Sequence, residues 1–273
     1  MRRWPEETTP LPGPVLVLMY HGIHADRDSR GRFDPRYSVH PERFIEQLAY
    51  LRDRNRVGWL PVAGEPLVAP PRGHDDEVVL ITFDDGDASL AETALPALAG
   101  FGLGAVFFVT CGLVGQHGMI RRSALRRLVD AGMVIGSHAV SHRFLNTLSS
   151  TGLESELAHS REFLEQATGR EVRLLSLPGG RGGARELKAA ARAGYRSVFG
   201  SVPGNNRSTP AGGLIQRVAI TRDVTLEQFR QIVRWRGPAT WRIRARHAAL
   251  RWPKRLIGDR GYDWVRSAWV RSS

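Results

Sequence analysis

From Val15 to about residue 233, short apolar runs alternate with stretches whose apolar residues recur every three or four positions. Residues 15–20 and 78–83 are the strongest runs, each of six apolar, aromatic or β-branched residues, and they read as strands buried on both faces. Residues 105–110, 133–137, 172–177, 197–199 and 214–220 continue the series. Between them, Pro41 opens a helix at its tolerated first position, with Phe44, Leu48 and Leu51 on one face. Further helices are predicted near 88–100, 122–131, 151–168, 184–193 and 225–235. In the longest of these, Leu153, Leu157, Phe163 and Leu164 point inward. Strand–helix alternation of this kind predicts a parallel sheet with helices outside it, in one α/β domain over residues 14–233. Residues 62–76 and 201–213 are Pro-, Gly- and Asn-rich loops. In such architectures chemistry gathers at the C-terminal ends of the strands, so the polar residues there are read first.

A chain of 273 residues, 42% hydrophobic and 24% charged, folds and buries a sizeable core. Its single cysteine, Cys111, excludes an internal disulfide framework and suits a reducing compartment. Cys111 follows an apolar run and reads as a small buried residue rather than a nucleophile. The prolines at 5, 10, 12 and 14 interrupt any signal-peptide core, and no run reaches membrane-span length, which predicts a cytoplasmic protein.

Strand 78–83 ends in Asp84-Asp85-Gly86. Adjacent carboxylates directly after a buried strand are costly unless a cation compensates them, although an Asp-Gly turn opening a helix has the same spelling. An EF-hand is excluded by the spacing. Strand 133–137 ends in His138-Ala139-Val140-Ser141-His142, two histidines that can reach one metal or stand as unrelated loop residues. Two His and one Asp leave a coordination position open for water, the arrangement of a catalytic zinc site, and the second carboxylate is then free to act as a base. Strand 172–177 ends in Pro178-Gly179-Gly180-Arg181, whose backbone N–H groups suit an oxyanion hole; no Lys-Ser/Thr follows for a phosphate loop.

These segments together resemble the NodB-homology polysaccharide deacetylases, carbohydrate esterase family four. Thr82-Phe83-Asp84-Asp85-Gly86 resembles the first family motif, His138 to His142 the second, and Pro178-Gly179-Gly180 a variant of the third. The similarity runs over roughly residues 14–235. It implies a deformed (β/α) barrel of about seven strands and hydrolysis of the acetamide of N-acetylated amino sugars in a polysaccharide or lipid-linked glycan. It also implies Asp84 as general base, Asp85, His138 and His142 as ligands of a divalent ion, Zn2+ above others, and the Gly179 N–H as oxyanion donor. Three positions depart from the pattern. Ala139 stands where Ser or Thr is usual. Ser176 stands where an arginine is usual, with Arg181 as a substitute from the other side. The late Leu-x-His motif is missing, and Leu18 to His21 resembles the permuted subgroup in which it moves to the N-terminus, making His21 the general acid. The alternatives are a C–N hydrolase of the same superfamily acting on a non-sugar amide and a carbohydrate-binding or scaffolding protein without turnover. The other histidines, including His24, read as loop or surface residues.

Of the net charge of +12, residues 234–273 carry +9: eleven Lys/Arg against Asp259 and Asp263. Five of the seven tryptophans lie in the same stretch. This basic extension suits an anionic membrane face better than nucleic acid, with a helix packed back on the barrel as the plainer reading. It adds the inner membrane face to the predicted location.

Overall fold

The computed structural model describes residues 15–26, 34–53, 78–206 and 213–249. The strands are β1 (Val15–Tyr20), β2 (Gly22–Ile23), β3 (Ser38–Val39), β4 (Val78–Phe83), β5 (Val106–Val109), β6 (Val134–Ser137), β7 (Leu174–Ser176), β8 (Ser197–Phe199), β9 (Asn205–Asn206), β10 (Leu214–Ile215) and β11 (Val218–Ala219). The α-helices with fully described bounds are α1 (Pro41–Asp53), α2 (Leu95–Gly100), α3 (Arg122–Asp130), α4 (Ser150–Thr168), α5 (Ala184–Arg192) and α6 (Leu226–Val233). Eight strands run in the order β10-β8-β7-β6-β5-β4-β1-β11, every pair parallel, and form a nearly closed, deformed barrel. Strand β9 adds to β1 antiparallel, and β2 pairs with β3 in a small separate ribbon.

Alternation of period two sorts the core into two clusters. Val15, Val17, Val78, Leu80, Val106 and Phe108 belong to a small cluster in the bore. Their chain neighbours Leu16, Leu18, Val79, Ile81, Phe107 and Val109 join the large cluster under the helices. The bore is filled by the rings of Phe108 and Phe199, with centroids 4.9 Å apart. A Cβ at residue 136 would lie 2.5 Å from the Phe108 ring, so that strand position takes glycine. Truncating Phe108 to Ala leaves a cavity worth about 3–5 kcal/mol.

Two predicted elements differ from what forms. Residues 214–220 are two strands, not one: β10 pairs with β8 and β11 with β1, at opposite ends of the sheet path. The break lies at Gln216, whose N–H donates to Asn206 Oδ1 and whose carbonyl accepts from Asn206 Nδ2. The same amide also donates to Val15 O at 3.0 Å, so one buried side chain ties the two ends of the sheet together. The helix predicted near 88–100 begins as a π-helical turn, Leu90–Ala94, before α2. Pro96 has no N–H to return to the preceding turn, which favours such a widening. The ribbon β2–β3 and strand β9, two residues each, carry too little pattern to be read from the sequence. Cys111 is buried and free, as expected. His74 and the Asp75-Asp76 pair lie outside the described residues.

Candidate active site

The register of the strands sets one level for the site. β1 and β4 pair over six residues from Val15↔Val78 to Tyr20↔Phe83, so His21 and Asp84 leave the sheet side by side. β5 and β6 end together at Val109↔Ser137, which puts His138 on the same rim. Counting in twos from the bore residues, 17 leads to His21, 80 to Asp84, 134 to His138, 174 to Ser176 and 215 to Arg217. The alternation that packs the bore therefore also aims these five side chains at its mouth.

Asp85, His138 and His142 are brought together, one ligand atom of each within 4.8 Å of the others. Asp85 Oδ1 lies 3.3 Å from His138 Nε2 and 3.1 Å from His142 Nε2, is buried, and makes no well-formed hydrogen bond. His138 Nδ1 donates to the Ser176 carbonyl at 2.8 Å, which fixes the tautomer and leaves the Nε2 lone pair facing Asp85. A buried carboxylate oxygen without a hydrogen-bond partner, facing two imidazole nitrogens, is the donor set of a divalent cation, so the residues fit one. Burial pushes the Asp85 carboxyl up, but the histidines prevail and hold it below the usual carboxylate range. For His138, burial works against charge and Asp84 and Asp85 work for it, with a net rise.

The backbone around this cradle is bent to present it. Asp85, Ala139 and His142 have φ of 74°, 61° and 60°, in the left-handed region that L-residues avoid. Such conformations persist only where the surroundings impose them. Here Glu156 of α4 accepts from Val140 N at 2.8 Å, Ser141 N at 3.0 Å and Ser141 Oγ at 2.5 Å, clamping the turn between the histidines. Behind it, Ala139 N donates to Ser137 Oγ, which leads through Ser160 to the Tyr195 hydroxyl.

Asp84 is oriented by a guanidinium. Arg217 Nη1 and Nη2 donate to its two carboxylate oxygens at 2.7 Å each, a bidentate pair. The same guanidinium donates to Ser176 Oγ and, through Nε, to Gly200 O, both at 2.7 Å, and it is only 1% exposed. Ser176 Oγ in turn donates to Asp84 Oδ2 at 3.1 Å. Burial raises the Asp84 carboxyl, yet Arg217, with His138 and His21, pulls it below its ordinary value. The sequence pattern does not single out Arg217. Its spacing of two from Ile215 was the available signal. Arg181, expected as the substitute arginine, is not the partner of Asp84. Gly179 and Gly180 take φ of 62° and 65°, and beyond them the Arg181 guanidinium rests 4.1 Å over the Phe144 ring. A Cβ at 179 would meet that ring at 2.5 Å, so this loop is held by close packing rather than loose.

His21 packs against Tyr37 with ring centroids 4.7 Å apart and the planes tilted by 37°, and its buried Nδ1 has no hydrogen-bond partner among the described residues. Burial lowers its pKa and outweighs the pull of Asp85 and Asp84. His24 is not a plain surface residue: its Nε2 lies 3.0 Å from the buried Asp87, tying β2 to the turn after Gly86.

A family profile described as polysaccharide deacetylase matches residues 72–198. YxkH of Bacillus subtilis is 26% identical over 196 residues, covering 72% of this chain and 67% of YxkH. The peptidoglycan-N-acetylmuramic acid deacetylase PdaA of the same organism is 30% identical over 129 residues, 46% of this chain and 48% of PdaA. The chain thus spans about half to two thirds of these relatives. Among solved structures, the Streptococcus pyogenes deacetylase PplD superposes with a TM-score of 0.69 at 24% identity, over 84% of this chain and all of PplD. With the profile, the relatives and the barrel in agreement, the chain belongs to the NodB-homology polysaccharide deacetylase family.

Proposed function

We propose that the protein hydrolyses the acetamide of an N-acetylated amino sugar, in a polysaccharide or lipid-linked glycan, with a divalent cation, zinc by donor chemistry, held by Asp85, His138 and His142. The observation that carries this reading is the pairing of two differently treated carboxylates: Asp85 faces the two imidazoles, while Asp84, one residue earlier, faces a guanidinium. The name of PdaA, a peptidoglycan N-acetylmuramic acid deacetylase, supports the substrate class.

A cation in that cradle supplies Lewis acidity to the acetamide carbonyl and acidifies water. Asp84, kept ionised by Arg217, accepts a proton from the attacking water. As the water oxygen bonds to the carbonyl carbon, negative charge grows on the carbonyl oxygen, and the Gly179 N–H serves as donor to that charge. The C–N bond then breaks, and His21 delivers the proton that the departing amine requires. The products are acetate and the free amino sugar. Acetate release from N-acetylated chito-oligosaccharides, measured before and after chelation and again on restoring zinc, tests the proposal. Chelator-sensitive release supports it, whereas turnover indifferent to chelators, or none with zinc restored, removes it.

A further inference from the structure

We propose that residues 234–249 form a docking surface for an anionic lipid bilayer. Helix α6, capped by Thr225 after β11, runs for eight residues, about 12 Å. A corner follows, with φ of 48° at Trp235 and 89° at Gly237, and residues 238–249 are helical. This second helix is seated on the barrel by one side. Ala239 and Thr240 are buried, Ile243 packs against the core, and Gln231 accepts from Ala239 N through its side chain and from Thr240 Oγ1 through its carbonyl.

The opposite side has the layout of an interfacial helix. At 100° per residue, Trp241, Ala248 and Ala249 fall on the outward stripe, with Arg244 along one border and Arg242 and Arg246 along the other. Trp241 is 70% exposed, the most exposed large hydrophobic among the described residues. Arg234 and Arg236 at the corner are exposed as well, and no acidic residue occurs between 234 and 249. Several arginines of the other helices meet a carboxylate: Arg126 meets Asp130, Arg161 meets Glu165, Arg185 meets Glu186 and Arg192 meets Glu154. None of the five arginines at 234–246 has a carboxylate partner among the described residues. An apolar tip edged by unpaired arginines suits lipid, where the ring enters the interface and the guanidinium groups reach the phosphates. Single-stranded nucleic acid would call for successive exposed aromatics as stacking platforms, and this face offers one.

The test uses the full chain, its Trp241→Ala variant and the triple reversal R242E/R244E/R246E. Each is sedimented with vesicles of phosphatidylcholine alone or with 30% phosphatidylglycerol, and titrated against a single-stranded oligonucleotide. Each arginine near an anionic surface is worth about five-fold in partitioning. The chain is expected to bind the anionic vesicles, the triple reversal to lose on the order of 100-fold or more, and Trp241→Ala to leave binding that fails at high salt. Equal binding to neutral vesicles, unchanged binding by the triple reversal, or oligonucleotide binding without vesicle binding would each overturn the proposal. Acetate release from a soluble oligosaccharide, unchanged in all three proteins, separates this outcome from any failure of the deacetylase reading.

Discussion

Replacing Arg217 by Met removes the cation that faces Asp84 while keeping an apolar stem between Phe108 and Phe199. The wild-type guanidinium is fully enclosed, binds both oxygens of Asp84 at 2.7 Å and lies 5.4 Å and 5.9 Å from the two ring centroids. Breaking a buried ion pair from one side leaves an uncompensated charge and costs about 3–5 kcal/mol. The lost bonds to Gly200 O and Ser176 Oγ fall within the same sum, because neighbouring terms do not add. The expected loss for Arg217→Met is therefore about 3–5 kcal/mol in urea unfolding followed by circular dichroism. Asp84→Asn alone strands the guanidinium and should cost a similar amount. The double variant D84N/R217M holds no stranded charge, and should recover roughly 2 kcal/mol or more relative to the sum of the singles. For turnover, moving the arginine back in S176R/R217S should restore part of what Arg217→Met loses, since Ser176 already touches both partners. A loss below about 1 kcal/mol for Arg217→Met, or strict additivity in the double variant, would refute the view that Arg217 is there to keep Asp84 ionised and oriented.

Glu156→Gln weakens the clamp on residues 140 and 141, and metal affinity by equilibrium dialysis should fall about 10–100-fold with the fold intact. Burial pushes the Cys111 thiol up to about 12, so the native protein should resist iodoacetamide at pH 8.5 and react only after denaturation. Labelling at the rate of a free thiol in the native protein would contradict that burial. His21→Ala should slow acetamide cleavage by about 10²–10⁴ and spare metal binding, and unchanged turnover would assign the proton transfer to another group.

The six-residue strands and the Asp84-Asp85, His138 and His142 positions were legible because two signals coincide there. A run apolar on both faces names a buried parallel strand, and a polar residue directly after it names the catalytic rim. Arg217 was hidden because β10, the strand it follows, is two residues long and the ladder breaks at Gln216, whose backbone groups bond the side chain of Asn206, so no run marks that strand end. Reading 214–220 as one strand hid the same break. Glu156 sits on α4, remote in sequence from the turn it holds, and its role exists only in tertiary contact. The family resemblance located the motif in which an arginine was missing but not the strand that would replace it.

The separation of roles between Asp84 and Asp85 is most directly tested by Asp84→Asn, with metal content and acetate release measured on the same preparation. The expected result is a full complement of divalent ion with turnover lower by about 10²–10⁴, because the cradle is intact and the proton acceptor is gone. Loss of the metal from Asp84→Asn, or turnover close to that of the wild type, would contradict it.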